Sequence, residues 1–192
     1  MAQDAPTCIV TGGTRGIGKA IALKMSLDGY KCLLTYKSDE SSADDTAQDI
    51  KNLDGECVCV KADLTKQESV DTVVKTAQSM WGKIDVLVNN AAISSNKNLI
   101  ADTDPNDWIE MMDVNLNSVF EITRKVIPLM RQRGEGNIVN LSSNITKRLA
   151  PTFGAYAVSK AGLEAMTIIL AKEEAPNGIR VNAIAPGPIN TK

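Results

Sequence analysis

Histidine is absent from all 192 residues. That excludes Ser-His-Asp and Cys-His nucleophile chemistry and any metal site built on imidazole, and no metal is expected. Acid/base work must come from Tyr, Lys, Asp, Glu or Cys. An excess of charge is lacking too. The net charge is −2 with no long run of either sign, whereas a nucleic-acid partner would leave a basic face. No apolar run approaches the length of a membrane span, so no membrane partner is expected. Met1-Ala2-Gln3-Asp4-Ala5-Pro6 carries no basic stretch followed by an apolar one. No signal peptide is therefore expected, and the expected location is cytoplasmic. Repeats, low-complexity tracts and linkers are missing as well, which leaves residues 1–192 as a single domain of 43% hydrophobic and 23% charged residues.

Cysteine is sparse: Cys8, Cys32, Cys57 and Cys59, all inside apolar, strand-like segments. The reading is four small buried hydrophobes in a reducing compartment, with Cys57 and Cys59 on the same side of a strand.

Short runs rich in Val, Ile, Leu and Cys fall at Thr7–Thr11, Lys31–Tyr36, Glu56–Lys61, Asp85–Asn89, Gly136–Leu141 and Ile179–Ala185. Their length and turn-forming borders predict strands buried on both faces. Helical spacing fills the gaps. A first helix carries Ile17, Ala20, Ile21, Leu23 and Met25, a second covers Ser42–Leu53 and a third Gln67–Trp81. A fourth runs from Pro105 to Arg133, with Pro105 suited to the first turn and Pro128 expected to bend or tighten it. A fifth runs from Tyr156 to Glu174. Alternating strands and helices predict an α/β, doubly wound parallel sheet, whose ligands bind beyond the carboxyl ends of the strands.

Strand one ends in Thr11-Gly12-Gly13-Thr14-Arg15-Gly16-Ile17-Gly18 and leads into a helix. Glycines there permit a tight turn and close approach of an anion to the helix N-terminus. The spacing is G-x-x-x-G-x-G rather than G-x-G-x-x-G. It is also a near match to a P-loop, because Gly13 to Gly18 precede Lys19, but Ala20 stands where a Mg²⁺-binding Ser or Thr belongs. The turn alone leaves both readings open.

Strand five is followed by Asn140-Leu141-Ser142-Ser143, and thirteen residues past Ser143 comes Tyr156, with Lys160 four further on. Tyr156 and Lys160 share a helix face, and an ammonium beside a phenol favours the phenolate. Alone, such a pair is ordinary on helices. Together with Thr11-Gly12…Gly16…Gly18, Asp63 after strand three, Asn89-Asn90-Ala91 after strand four, Asn115 in the long helix and Pro186-Gly187 after strand six, it closely resembles the short-chain dehydrogenase/reductase family. Among subgroups the chain is most similar to 3-oxoacyl-carrier-protein reductases. The match runs in order over essentially the whole chain.

The resemblance implies a Rossmann sheet of strand order 3-2-1-4-5-6 with helices on both faces. It implies hydride transfer between NADP(H) and a small carbonyl or secondary-alcohol substrate. By it, Tyr156 protonates the substrate oxygen, Lys160 assists Tyr156 and holds the nicotinamide ribose, and Ser143 bonds the carbonyl oxygen. Asn115 kinks its helix so that a backbone carbonyl can hold a water linking Lys160 to solvent. Gly12, Thr14, Arg15, Gly16, Ile17 and Gly18 form the phosphate turn. Tyr36, Lys37 and Ser38 flank the adenosine ribose. Asp63 bonds the adenine, with Leu64 giving a backbone amide. Asn90, Ala91 and Ala92 line the ribose pocket, Asn90 also steadying the central strand. Pro186 and Gly187 begin the loop over the nicotinamide, Ile189 offers backbone contacts to the carboxamide, and Thr191 offers its hydroxyl to it or to the pyrophosphate. The family usually reads Asn-Asn-Ala-Gly where this chain has Ala92, a methyl that can narrow the approach to the ribose. Relatives pair through their long helices, so a homodimer or homotetramer is implied. They also continue past this point into a substrate lid and a seventh strand, so a longer natural chain is expected.

An acid at the end of strand two would bind the ribose 2′-hydroxyl and repel a 2′-phosphate. Thr35, Tyr36 and Lys37 supply none, while Arg15 and Lys37 can both reach a 2′-phosphate; Asp39 lies too far past the strand. The expectation is NADP(H). A non-catalytic dinucleotide sensor and a P-loop nucleotide binder are the alternatives, and the intact Ser143/Tyr156/Lys160 set argues against both. Substrate choice is expected to lie in the loops Ile93–Asp104 and Asn144–Gly154. The sequons Asn140-Leu141-Ser142 and Asn144-Ile145-Thr146 read as chance matches.

Overall fold

The computed structural model describes residues 5–94 and 97–190. Six strands, β1 (Thr7–Val10), β2 (Lys31–Tyr36), β3 (Cys57–Lys61), β4 (Val86–Asn89), β5 (Gly136–Leu141) and β6 (Ile179–Ile184), pair in parallel in the order β3-β2-β1-β4-β5-β6. Among the described residues seven α-helices connect them: α1 (Gly16–Leu27), α2 (Glu40–Asn52), α3 (Gln67–Trp81), α4 (Pro105–Met112), α5 (Ser118–Arg133), α6 (Ile145–Arg148) and α7 (Gly154–Glu174). The chain winds outward from β1 to β3, then returns to lay β4 beside β1. The reversal opens a crevice at the carboxyl ends of those two strands, where a ligand can enter between diverging loops.

Alternation along each strand sends side chains to opposite faces of the sheet. Ile9, Leu33, Leu87 and Ile138 point to one face and pack against Val70, Val73 and Ala77 of α3 and Ile122, Val126 and Met130 of α5. Cys8, Val10, Cys32, Leu34, Val86 and Val88 point to the other, against Ala22 of α1 and Ile50 of α2. Both faces of the central strands are therefore covered, as a parallel sheet requires.

The edges depart from the expectation of strands buried on both faces. β3 is half-buried and β6 becomes exposed at Asn182, Ala183 and Ile184, because each strand has a neighbour on one side only. Position in the sheet also corrects the reading of the cysteines. Cys8 and Cys32 are fully buried, with sulfurs 3.3 Å apart, but Cys57 and Cys59 on edge strand β3 are partly exposed.

The long fourth helix is broken into parts. α4 passes into a π-helical turn, Asp113–Asn117, before α5 begins, and α5 then continues through Pro128. One extra residue per turn bulges the backbone, and Asn115 sits at the bulge. Its cause is local. Asn115 is fully buried and bonds Ile93 with both ends of its amide, an anchor that a regular α-turn would rotate away. α2 begins at Glu40, two residues before its expected start, because Asp39 caps it by accepting from the Ser42 N–H at 3.0 Å. α7 begins at Gly154, so Tyr156 lies in its first turn. The sequon residue Asn140 is fully buried, accepting from Asn89 Nδ2 and donating to Thr167 Oγ1, both at 2.8 Å, and cannot take a glycan in the folded chain. No helix among the described residues is long and apolar enough to cross a membrane.

One ion pair ties α5 to the end of α7. Arg131 donates to Glu174 through Nε at 2.9 Å and Nη2 at 2.5 Å, and Glu174 is 1% exposed. The Arg131 hydrogen bonds hold this carboxyl below its usual range. Arg131→Ala strands a buried carboxylate, and with the arginine itself half in solvent the expected cost is about 2 kcal/mol, a Tm fall of about 4–8 °C at neutral pH. The pair stabilises the fold above the usual carboxylate pKa and loses that effect as pH falls through the lowered one. The Tm gap between wild type and variant should therefore close in acid; a gap that is absent at pH 7 would remove the pair from the stability account.

Candidate functional site

The crevice is built first from backbone. Thr11, just past β1, donates through Oγ1 to Val88 O at 3.4 Å and accepts there from the N–H groups of Asn90 (2.9 Å) and Ala91 (3.0 Å). Asn90 Nδ2 returns the tie by donating to Thr11 O at 2.9 Å and Gly12 O at 3.1 Å. Asn90 thereby clamps the glycine turn to the end of β4. Gly12 holds φ +60, a left-handed conformation, and a Cβ on Gly18 would fall 2.1 Å from Gly12 O. Glycine at both positions lets α1 start hard against the turn. The N-cap residue Arg15 offers no side-chain cap, so the first N–H groups of α1 face the crevice free to meet an anion.

The cleft has a volume of about 710 Å³. Of the residues named from the sequence, Gly12, Thr14, Arg15, Gly16, Ile17, Gly18, Tyr36, Lys37, Ser38, Asp63, Leu64, Asn90, Ala91, Ala92 and Ile189 line it. Pro186 and Gly187 lie instead against the loop after β5: Pro186 O accepts from the Asn144 N–H at 3.0 Å. Thr191 lies outside the described residues. The wall also contains Glu110, Val114 and Ser118, which the sequence reading missed. Their recurrence at every fourth position was the available signal for one helix face turned to the crevice.

At the far end of the cleft, Lys37 is paired with Asp63 at 3.2 Å. Desolvation pushes the Asp63 carboxyl up, but hydrogen bonds from Thr65 and the Lys37 ammonium outweigh it and leave the pKa lowered. Asp39 also lines the cleft, with its carboxylate held on the Ser42 N–H and hydroxyl of α2. Those two bonds, the backbone one foremost, lower its pKa. Arg15 is exposed at the cleft wall.

Ser143, Tyr156, Lys160 and Asn115 stand outside the walls of that cleft but are joined to it. Ile93 is the link. Its N–H donates to Asn115 Oδ1 at 2.8 Å, and its carbonyl accepts from Asn115 Nδ2 at 3.0 Å. Nδ2 also donates to Ser159 Oγ at 3.2 Å, and Ser159 Oγ donates to Tyr156 O at 2.8 Å. The π-turn thereby fixes the first turn of α7 against the cleft. Lys160 is 3% exposed, its Nζ 5.9 Å from the centroid of the Tyr156 ring and donating to Leu141 O at 2.6 Å. Burial lowers its pKa from 10.5 to about 8. Two residues past Leu141, the half-buried Ser143 accepts at Oγ from the Ile145 N–H at 3.3 Å. A partly exposed phenol, a buried ammonium beside it and a hydroxyl on the adjoining loop can together bind and protonate a carbonyl oxygen.

The family model of short chain dehydrogenases matches residues 6–192. The chain is 37% identical over 187 residues to glucose 1-dehydrogenase 2 of Bacillus subtilis, covering 97% of this chain and 72% of that protein. It is 36% identical over 181 residues to 3-oxoacyl-[acyl-carrier-protein] reductase FabG of Staphylococcus epidermidis, covering 94% and 74%. Among solved structures, actinorhodin polyketide ketoreductase with NADPH superposes with a TM-score of 0.94 at 30% identity, covering 98% of this chain and 72% of that one. NAD+-bound xylitol dehydrogenase superposes with a TM-score of 0.91 at 30% identity, covering 95% and 70%. Fold, site order and sequence agree: the chain belongs to the short-chain dehydrogenase family of oxidoreductases.

Proposed function

We propose that this chain is an NADP(H)-dependent ketone reductase, acting on a 3-oxoacyl thioester or another small carbonyl compound. One observation carries the reading: a buried lysine ammonium lies beside the Tyr156 ring, and the Tyr156 backbone carbonyl is tied through Ser159 and Asn115 to Ile93 at the glycine-turn cleft. The cleft fits a dinucleotide in size and in chemistry. Its 710 Å³ is drawn out along the carboxyl ends of the strands, the N–H groups of α1 suit a pyrophosphate, and no side chain on Gly12 or Gly18 fills the approach.

Residues Gly12 to Gly18 would hold the pyrophosphate, Asp63 and Leu64 the adenine, and Asn90 to Ala92 with Lys160 the nicotinamide ribose. When bound, the nicotinamide supplies or takes up the hydride. Ser143 donates a hydrogen bond to the substrate carbonyl oxygen and polarises it. Tyr156 delivers its proton to that oxygen as negative charge develops there. Lys160 stabilises the phenolate that remains. In the oxidative direction Tyr156 receives the proton. Initial rates with NADPH over a panel of 3-oxoacyl thioesters, diketones, steroids and sugars test the activity, and turnover of at least one is expected. NADPH should raise Tm and ATP-Mg²⁺ should not; the reverse would support a phosphate-binding loop instead.

The preference for the 2′-phosphate rests on Arg15 and Lys37. Each can make a charge-assisted bond of about 1.5–3 kcal/mol, Lys37 by turning its largely exposed side chain from Asp63 to the phosphate, whereas the Asp39 carboxylate is held by two bonds from Ser42. Lys37→Asp exchanges an attraction for a repulsion. Measured dissociation constants should show wild type favouring NADPH, and the variant should lose that preference by about 10–100-fold. A wild type that binds NADH more tightly overturns this assignment.

A further inference from the structure

Glu164 takes no part in the chemistry just described, yet it is built into the loop that carries Ser143. Its Oε1 accepts from the buried Ser142 hydroxyl at 2.6 Å and from the Thr146 hydroxyl at 3.0 Å. These two residues bracket Ser143. The single Thr146 Oγ1 proton is shared between Glu164 and Ser143 O, each at 3.0 Å, and the Thr146 N–H also reaches Ser143 O at 3.3 Å. Both sides of the Ser143 turn therefore hang on one carboxylate oxygen.

Glu164 lies four residues after Lys160 and eight after Tyr156, on the same face of α7. One rigid helix thus carries the proton donor, its lysine and the anchor of the serine loop. On the reductase reading above, we propose that Glu164 is a positioning residue that sets Ser143 in register with Tyr156, so that hydroxyl and phenol meet the same carbonyl oxygen. A misplacement of a catalytic group by about 1 Å can cost about 10²-fold in rate, which makes such an anchor consequential.

The test uses NADPH and 2,3-hexanedione, or whichever panel ketone is turned over, with Ser143→Ala placed in wild type and in Glu164→Leu. Glu164→Leu is expected to lower kcat by about twentyfold or more while the NADPH dissociation constant stays within about twofold. Ser143→Ala should cost about a hundredfold in wild type but less than about fivefold in the Glu164→Leu background, since the misplaced hydroxyl already contributes little. Glu164→Gln keeps an acceptor and should recover most of kcat. The double variant Ser142→Ala/Thr146→Val removes the same two bonds from the loop side and should reproduce the loss without adding to that of Glu164→Leu. Hydrogen exchange of free enzyme should show amides 142–149 opening faster in Glu164→Leu than in Glu164→Gln, with β1 to β4 unchanged. An undiminished Ser143→Ala penalty in the Glu164→Leu background overturns the proposal, whatever the exchange shows, because Glu164 is then only a structural tie. No turnover of any panel ketone by wild type fells the reductase reading itself and this inference with it.

Discussion

Tyr156→Phe is expected to lower kcat by about 10²–10⁴-fold, the range for loss of a general acid, while KM and NADPH affinity stay near wild type. The hydroxyl acts on charge that develops only in the transition state, so removing it leaves ground-state binding intact. The fold should tolerate the change. Tyr156 is only half-buried, and its link to the π-turn runs through its backbone carbonyl, which accepts from Ser159. A Tyr156→Phe protein that retains wild-type turnover with unchanged Tm removes Tyr156 from the mechanism.

Lys160→Met is expected to abolish most turnover and yet to stabilise the protein. Lys160 is 3% exposed, and burial alone lowers its pKa from 10.5 to about 8. At neutral pH it is charged in both states, so the folded state bears the cost of burying the ammonium, an upper bound of about 3.5 kcal/mol at 1.4 kcal/mol per pH unit. Removing the side chain also removes its bond to Leu141 O, worth about 1.5–3 kcal/mol as a charged hydrogen bond. The balance favours the variant by about 1 kcal/mol, a Tm gain of about 2–4 °C at pH 7. The sign with pH follows from the lowered folded pKa. Between pH 8 and 10.5 the folded lysine is neutral while the unfolded one still binds its proton, so wild-type stability rises relative to the variant across that window. The Tm advantage of Lys160→Met should therefore shrink from pH 7 to pH 10. A variant several degrees less stable at pH 7 would mean that the lysine is held by attraction rather than tolerated for its chemistry.

Where burial alternates with turn residues, the sequence disclosed the fold. β2 and β5 fall at their expected bounds, and the other strands within a residue at either end. Composition alone misled at β3 and β6, because nothing in Cys57-Val58-Cys59 or Ile179–Ile184 tells an edge from a centre; only the strand order that the family resemblance implies places them at the edges. The π-turn was hidden for a similar reason. Helical spacing runs from Pro105 to Arg133, and only the tertiary bonds between Asn115 and Ile93 select the extra residue. In the cleft, the glycine turn and the strand ends were legible because each follows an apolar run. The pairing of Lys37 with Asp63 was not, since it depends on the loops after β2 and β3 meeting, whereas the capping of α2 by Asp39 is local and was missed although an Asp stands three residues before Ser42. Glu164 was invisible to motif reading: its meaning comes from Ser142 and Thr146, eighteen or more residues away.

The most direct measurement follows the hydride itself. NADPH deuterated at C4 of the dihydronicotinamide, on one face and then the other, is incubated with the protein and a panel ketone, and the alcohol is weighed by mass spectrometry. The account requires one of the two labels to appear on the carbinol carbon at full stoichiometry, with Tyr156→Phe slowing its appearance by the same factor as kcat. Protein that binds NADPH but transfers neither label to any ketone of the panel would contradict it.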